Sequence, residues 1–177
     1  VCRAVDDDPA LDLVAAVDPH HVGLDMHQVT GLDLPFLVAA DGQAFLDAGV
    51  DVVVDFTHVD AARQNLLFLA EHGIHAVTGT TGFTDADYQR FDAAFTRSNC
   101  VIAPNFAIGA VLMMRFAEMA APYFETAEIT ELHHDNKLDA PSGTAMLTAA
   151  RMAAASGQWA PDPTRTELLE GARGGEG

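Results

Sequence analysis

One lysine stands in a chain of 177 residues; with nine lysines and arginines in all against 26 acidic residues, the formal net charge is −17. No basic stripe is available to follow a nucleic-acid backbone, which excludes that class of partner. Cysteine is almost as scarce. Cys2 and Cys100 are the only two, too few for a disulfide framework and suited to a reducing cytoplasm. Long apolar runs are also missing. The strongest, residues 106–114, stops at Arg115, short of the roughly 20 residues a bilayer requires. What the chain does have is 49% hydrophobic residues, enough to build a core and to exclude general disorder.

The single lysine is placed where chemistry can use it. Residues 131–145 read E-L-H-H-D-N-K-L-D-A-P-S-G-T-A. Residues 126–134 are rich in strand formers, and strand side chains alternate in direction. His133 and His134 should then point to opposite faces, which favours two separate jobs over joint metal chelation. Histidine exchanges protons near neutral pH, and lysine can donate a proton or hold an anion. The Pro141-Ser142-Gly143-Thr144 turn has the pattern of a helix N-terminus, whose N–H groups attract anions. Gly143 would let a ligand approach the backbone. These residues suit a site that protonates a small anionic molecule; the alternative on the bare residues is a solvated loop with incidental charges. The net charge does not forbid an anion. Distant repulsion is screened beyond about 8 Å at physiological salt, whereas a cation at ~4 Å contributes on the order of 4 kcal/mol at an effective dielectric of 20.

Along the chain, residues 1–5 read as a helix end and 11–17 as a strand with Asp18 at its close. Asp18 stands where a dinucleotide-binding fold holds ribose hydroxyls, although a surface aspartate is the alternative. Residues 20–35 are irregular, and His20, His21 and His27 lack metal-ligand spacing. A short helix is expected at 43–48 and a buried strand at 51–56. A helix at 59–72, closed by Gly73, carries Val59, Ala62, Leu66 and Leu69 on one face. A strand follows at 74–78. Thr84 should cap a helix with Tyr88, Phe91 and Phe95 on one side, and a further strand spans 99–103. The repeated strand–helix–strand pattern predicts a parallel sheet of the doubly wound, Rossmann-like α/β class. Four features fall at the carboxyl ends of its strands, where ligands bind. They are Asp18, Asp55-Phe56-Thr57, the loop 79–83 (G-T-T-G-F), and Ala103-Pro104-Asn105-Phe106. Beyond them come an apolar helix at 108–124, with Met113, Met114 and Met119 read as core, the histidine strand, and a helix at 142–155. The predicted division is a dinucleotide-binding domain over 1–106 and a substrate domain over 107–177.

Taken together, these motifs resemble the 4-hydroxy-tetrahydrodipicolinate reductase family, formerly called dihydrodipicolinate reductase, with similarity to its actinobacterial branch. The resemblance spans roughly residues 51–150; the His-His…Lys…Ser-Gly-Thr string is its specific part. It implies reduction of a small dicarboxylate by NADH or NADPH on the way to diaminopimelate and lysine, in a cytoplasmic homotetramer. By the same resemblance His133 is the general acid/base and Lys137 the proton donor. His134, Lys137, Gly143 and Thr144 hold the substrate carboxylates. Asp18, Gly79, Thr80, Thr81, Ala103, Pro104, Asn105 and Phe106 contact the cofactor, and no metal is implied. Asp18 suits an unphosphorylated ribose and Pro19 offers no cation for a 2′-phosphate, so NADH is the expected preference. Measured against the family pattern, the glycine-rich phosphate loop before Asp18 and the later strands of the substrate domain are expected to lie outside these 177 residues. Two other classes compete. A non-catalytic dinucleotide- or metabolite-sensing domain would not need His133 and Lys137. An oxidoreductase acting on a sugar or aldehyde would want a lysine or cysteine nearer the nicotinamide than Cys100.

Overall fold

The computed structural model describes residues 1–137, 140–157, 159–169 and 171. Its contacts divide the chain into two compact units, Val1–Ala103 and Pro104–Gly177. The first contains α1 (Cys2–Asp6), α2 (Met26–Thr30), α3 (Gln43–Asp47), β1 (Val52–Asp55), α4 (Val59–His72), β2 (His75–Thr78), α5 (Asp85–Ala94) and β3 (Cys100–Ile102). The second contains α6 (Ile108–Ala120), a 3-10 turn (Ala121–Tyr123) and α7 (Gly143–Ser156). Among the described residues, no helix is long and apolar enough to cross a membrane.

The first unit is a parallel α/β layer of the Rossmann type. Its sheet runs β1-β2-β3, with Val53 opposite Ala76 and Ala76 opposite Cys100. Helices α4 and α5 provide the crossovers that parallel neighbours require. Ala62, Leu66, Leu69 and Ala70 form the buried stripe of α4, a spacing that keeps them on one side of a 3.6-residue helix. Leu66, Leu69 and Phe91 meet Val53, Ile74 and Ala76 from the sheet and its approach. Local signals set the helix ends. Gly73 closes α4 with φ of 72°, the left-handed conformation glycine adopts most readily. Thr84 opens α5 in a reciprocal capping box with Asp87, and each satisfies a backbone N–H that the helix leaves unpaired.

Several expectations need correction. Residues 11–16 form no strand: Val17 makes one isolated parallel bridge to Ala39, and a single bridge does not propagate a ladder. The strand at 51–56 is not buried on both faces. Val53 and Asp55 are covered, but Val52 and Val54 are 49% and 40% exposed, because α4 and α5 pack on the other face. Tyr88 lies at the surface, while Phe83 packs edge-on against Phe91 at 5.3 Å between ring centres. Residues 126–134 are irregular. Strand geometry persists only where backbone groups find a neighbouring strand, and among the described residues none pairs with this segment. His133 and His134 therefore do not alternate across a strand, and both side chains are exposed. Helix α6 stops at Ala120, where Pro122 enters the following turn. Of its methionines only Met114 is core; Met113 and Met119 are 52% and 67% exposed. They lie on helix faces that nothing among the described residues covers.

Candidate active site

Two sets of predicted residues are built in different ways. In the first unit, the loop after β2 begins with Gly79, whose N–H donates to the Asp55 carbonyl oxygen at 3.1 Å. A Cβ on Gly79 would fall 2.1 Å from the Phe56 ring, so a side chain there requires that ring to move. Thr80 is buried and Thr81 exposed. Gly82 has φ of +92°, a value that bends the loop back before α5 and that side-chain-bearing residues avoid. The loop thus presents backbone at the carboxyl end of a central parallel strand. That is the end of a parallel sheet at which ligands bind, with room at Gly79 for close approach.

Asp18 is half-exposed and already engaged. Oδ1 accepts from the His20 N–H at 2.8 Å, and Oδ2 lies 2.8 Å from His21 Nδ1. The His20 N–H, and behind it the His21 ring, hold this carboxyl below its ordinary value. It stays ionised and able to accept further hydrogen bonds on its remaining lone pairs. From the sequence His21 was weighed only as a metal ligand without suitable spacing; its place beside Asp18 comes from the fold.

In the second unit, α7 begins where the sequence placed it. Ser142 is the N-cap: its Oγ accepts from the Ala145 N–H at 3.1 Å. Among the described residues, no acceptor is bonded to the N–H groups of Gly143 and Thr144, the first two positions of this 14-residue helix. Both face the positive end of the helix dipole. Thr144 Oγ1 also lies 3.4 Å from Asn105 Nδ2, and Asn105 Oδ1 accepts from Ala107 at 2.8 Å. One predicted cofactor residue thereby touches one predicted substrate residue.

The residue that organises this end is Glu131. One carboxylate oxygen accepts the Ser142 N–H at 2.7 Å, and the other lies 3.6 Å from His133 Nδ1. Hydrogen bonds from Ser142, followed by the charges of His133 and Lys137, hold Glu131 below its ordinary value. A single carboxylate therefore ties the loop carrying His133 to the start of α7 and stays ionised. Sequence reasoning passed over it, although it stands two residues before His133. Lys137 is half-buried, and its N–H donates to the His134 carbonyl oxygen at 3.1 Å. By contrast, Cys100 makes a poor nucleophile: burial pushes its thiol up to about 11, so little thiolate exists near neutral pH.

A parallel sheet whose strand-end loops offer bare backbone is the architecture of the dinucleotide-binding α/β proteins. The family model for the dihydrodipicolinate reductase N-terminus matches residues 1–106, and that for the C-terminus matches residues 109–176. The chain belongs to the dihydrodipicolinate reductase family. It is 55% identical over 141 residues to the 4-hydroxy-tetrahydrodipicolinate reductase of Nocardia farcinica, covering 76% of this chain and 56% of that protein. The corresponding enzyme of Cutibacterium acnes is 45% identical over 98% of this chain and 65% of its own length. Among solved structures, the dipicolinate-bound dihydrodipicolinate reductase from Paenisporosarcina sp. TG-14 aligns with a TM-score of 0.71 at 36% identity. That alignment covers 98% of this chain and 68% of that one. The chain thus spans between about half and two thirds of the length of these curated relatives.

Proposed function

We propose that the full-length protein reduces 4-hydroxy-tetrahydrodipicolinate to tetrahydrodipicolinate with NADH or NADPH, in the cytoplasm, as a homotetramer on the route to diaminopimelate and lysine. The single observation that carries the reading is the joining of His133 to the N-terminus of α7 through Glu131, with the charge of Lys137 acting on the same carboxylate. Membership of the family supplies the substrate class.

Replacing the substrate's hydroxyl by hydrogen takes up a hydride and a proton and releases water. The bound dinucleotide supplies the hydride. Asp18 would hold the ribose hydroxyls, and Gly79, Thr80 and Thr81 would contact the cofactor. Ala103, Pro104, Asn105 and Phe106 border the nicotinamide. The N–H groups of Gly143 and Thr144, together with His134 and Lys137, hold the substrate carboxylates. Lys137 Nζ donates the proton, and His133 serves as general acid/base with its ring oriented by Glu131.

The test is to follow dinucleotide oxidation by the full-length protein with freshly prepared 4-hydroxy-tetrahydrodipicolinate, using NADH and NADPH separately. Oxidation that depends on the substrate supports the reading, and a higher kcat/KM with NADH supports the role of Asp18. Measurable NADH binding without substrate-dependent oxidation would overturn the assignment. Equal efficiency with both dinucleotides would remove the ribose argument.

A further inference from the structure

Asp55 sits at the carboxyl end of β1 with only 4% of its surface exposed, and the reaction above gives it no part. Its surroundings are all donors. Oδ1 accepts from the Thr57 N–H at 3.1 Å, from Thr57 Oγ1 at 2.9 Å and from Thr80 Oγ1 at 3.1 Å. Thr78 Oγ1 stands 3.4 Å away, and Oδ2 accepts from Asn65 Nδ2 on α4 at 2.8 Å. A carboxylate that is withdrawn from water needs such a shell. The shell is made largely of the loop it would organise. Thr78 Oγ1, besides facing Asp55, accepts the Thr80 N–H at 3.1 Å. The Thr80 hydroxyl is turned inward to Asp55 and to the Thr57 carbonyl oxygen at 3.0 Å. The Phe56 ring against Gly79 closes the same corner.

We propose that Asp55 is a positioning residue for the dinucleotide, one that fixes the backbone of Gly79, Thr80 and Thr81 through the hydroxyls of Thr57, Thr78 and Thr80. The inference rests on the reductase reading. Thr78 gives it a clean probe. That residue is fully buried, so an effect on cofactor affinity can reach the cofactor only through the loop.

The experiment compares Asp55→Ala, Asp55→Asn, Thr78→Val and Thr78→Ser in the full-length protein. NADH dissociation constants, KM for the dicarboxylate, kcat and thermal midpoints are measured. Asp55→Ala and Thr78→Val are expected to weaken NADH about tenfold or more, with kcat at saturating NADH within about threefold of the parent. The dicarboxylate KM should stay within about twofold. Asp55→Asn and Thr78→Ser, which keep an acceptor, should recover most of the affinity. If Asp55→Ala does not fold, Thr78→Val and Thr78→Ser decide the matter. Unchanged NADH affinity in the folded variants overturns the inference and leaves the reductase reading standing. Parallel loss of dicarboxylate and NADH binding also overturns it, since that is the result of general loosening. Failure of the unsubstituted protein to bind NADH overturns both.

Discussion

Glu131 touches both His133 and the start of α7, so substitutions at neighbouring positions have separable consequences. Removing the proton carriers should affect chemistry and spare the dinucleotide. His133→Ala and Lys137→Ala are each expected to lower kcat by ~10²–10⁴-fold, the usual contribution of a positioned acid or base. The NADH dissociation constant should remain within about twofold, because the proposed roles of these residues lie with the substrate and not the dinucleotide. Steady-state kinetics and fluorescence titration of the full-length protein check this; undiminished turnover in both variants would remove the proposed roles. Lys137 stood out because it is the one lysine of the chain, and His133 because it belongs to a histidine pair just before it. Glu131 did not, being one of 26 acidic residues until geometry placed it beside them.

At the scale of elements, caps and apolar stripes were readable, whereas partners were not. Val59–His72 ends where its cap residues put it, because cap geometry depends on a few adjacent residues. The segments 11–17 and 126–134 carry strand composition, yet strands depend on a neighbour that composition does not supply. The tie between α4 and α5 was equally hidden. Arg63 reaches Asp87 with two bonds of 3.0 Å, and that guanidinium, with the Thr84 N–H, holds the Asp87 carboxyl down at about 2 against an ordinary 3.8. A carboxyl whose folded value is depressed stabilises the fold above its unfolded value, and the contribution is lost as pH falls through the folded one. Asp87→Asn should therefore lower the urea midpoint at pH 7. The gap from the parent should close as the pH drops from about 4 toward about 2. A gap that persists unchanged at the acid end would show that the pair does not titrate as its geometry requires.

On the scale of the whole molecule, protection is unevenly distributed. Val53, Leu66, Leu69, Ile74, Ala76 and Phe91 form one buried cluster in the first unit. Residues 125–136 are irregular and, Glu131 apart, exposed. Hydrogen exchange read by mass spectrometry should find the slowest amides in β1, β2 and α4, with residues 125–136 exchanging fast, since opening free energy follows burial and backbone bonding. Equal protection in the two regions would contradict this distribution. By itself the sequence determined the α/β class, the ends of α4 and α7, the start of α5, and the chemistry available at His133, Lys137 and Gly143-Thr144. These follow from local propensity, caps and side-chain type, all of which act over a few residues. Tertiary structure alone decided that Asp55 gathers three threonines, that Glu131 ties His133 to Ser142, that Asn105 reaches Thr144, and that one face of β1 stays open. Each of these joins or separates residues distant along the chain, and only the folded path sets those distances.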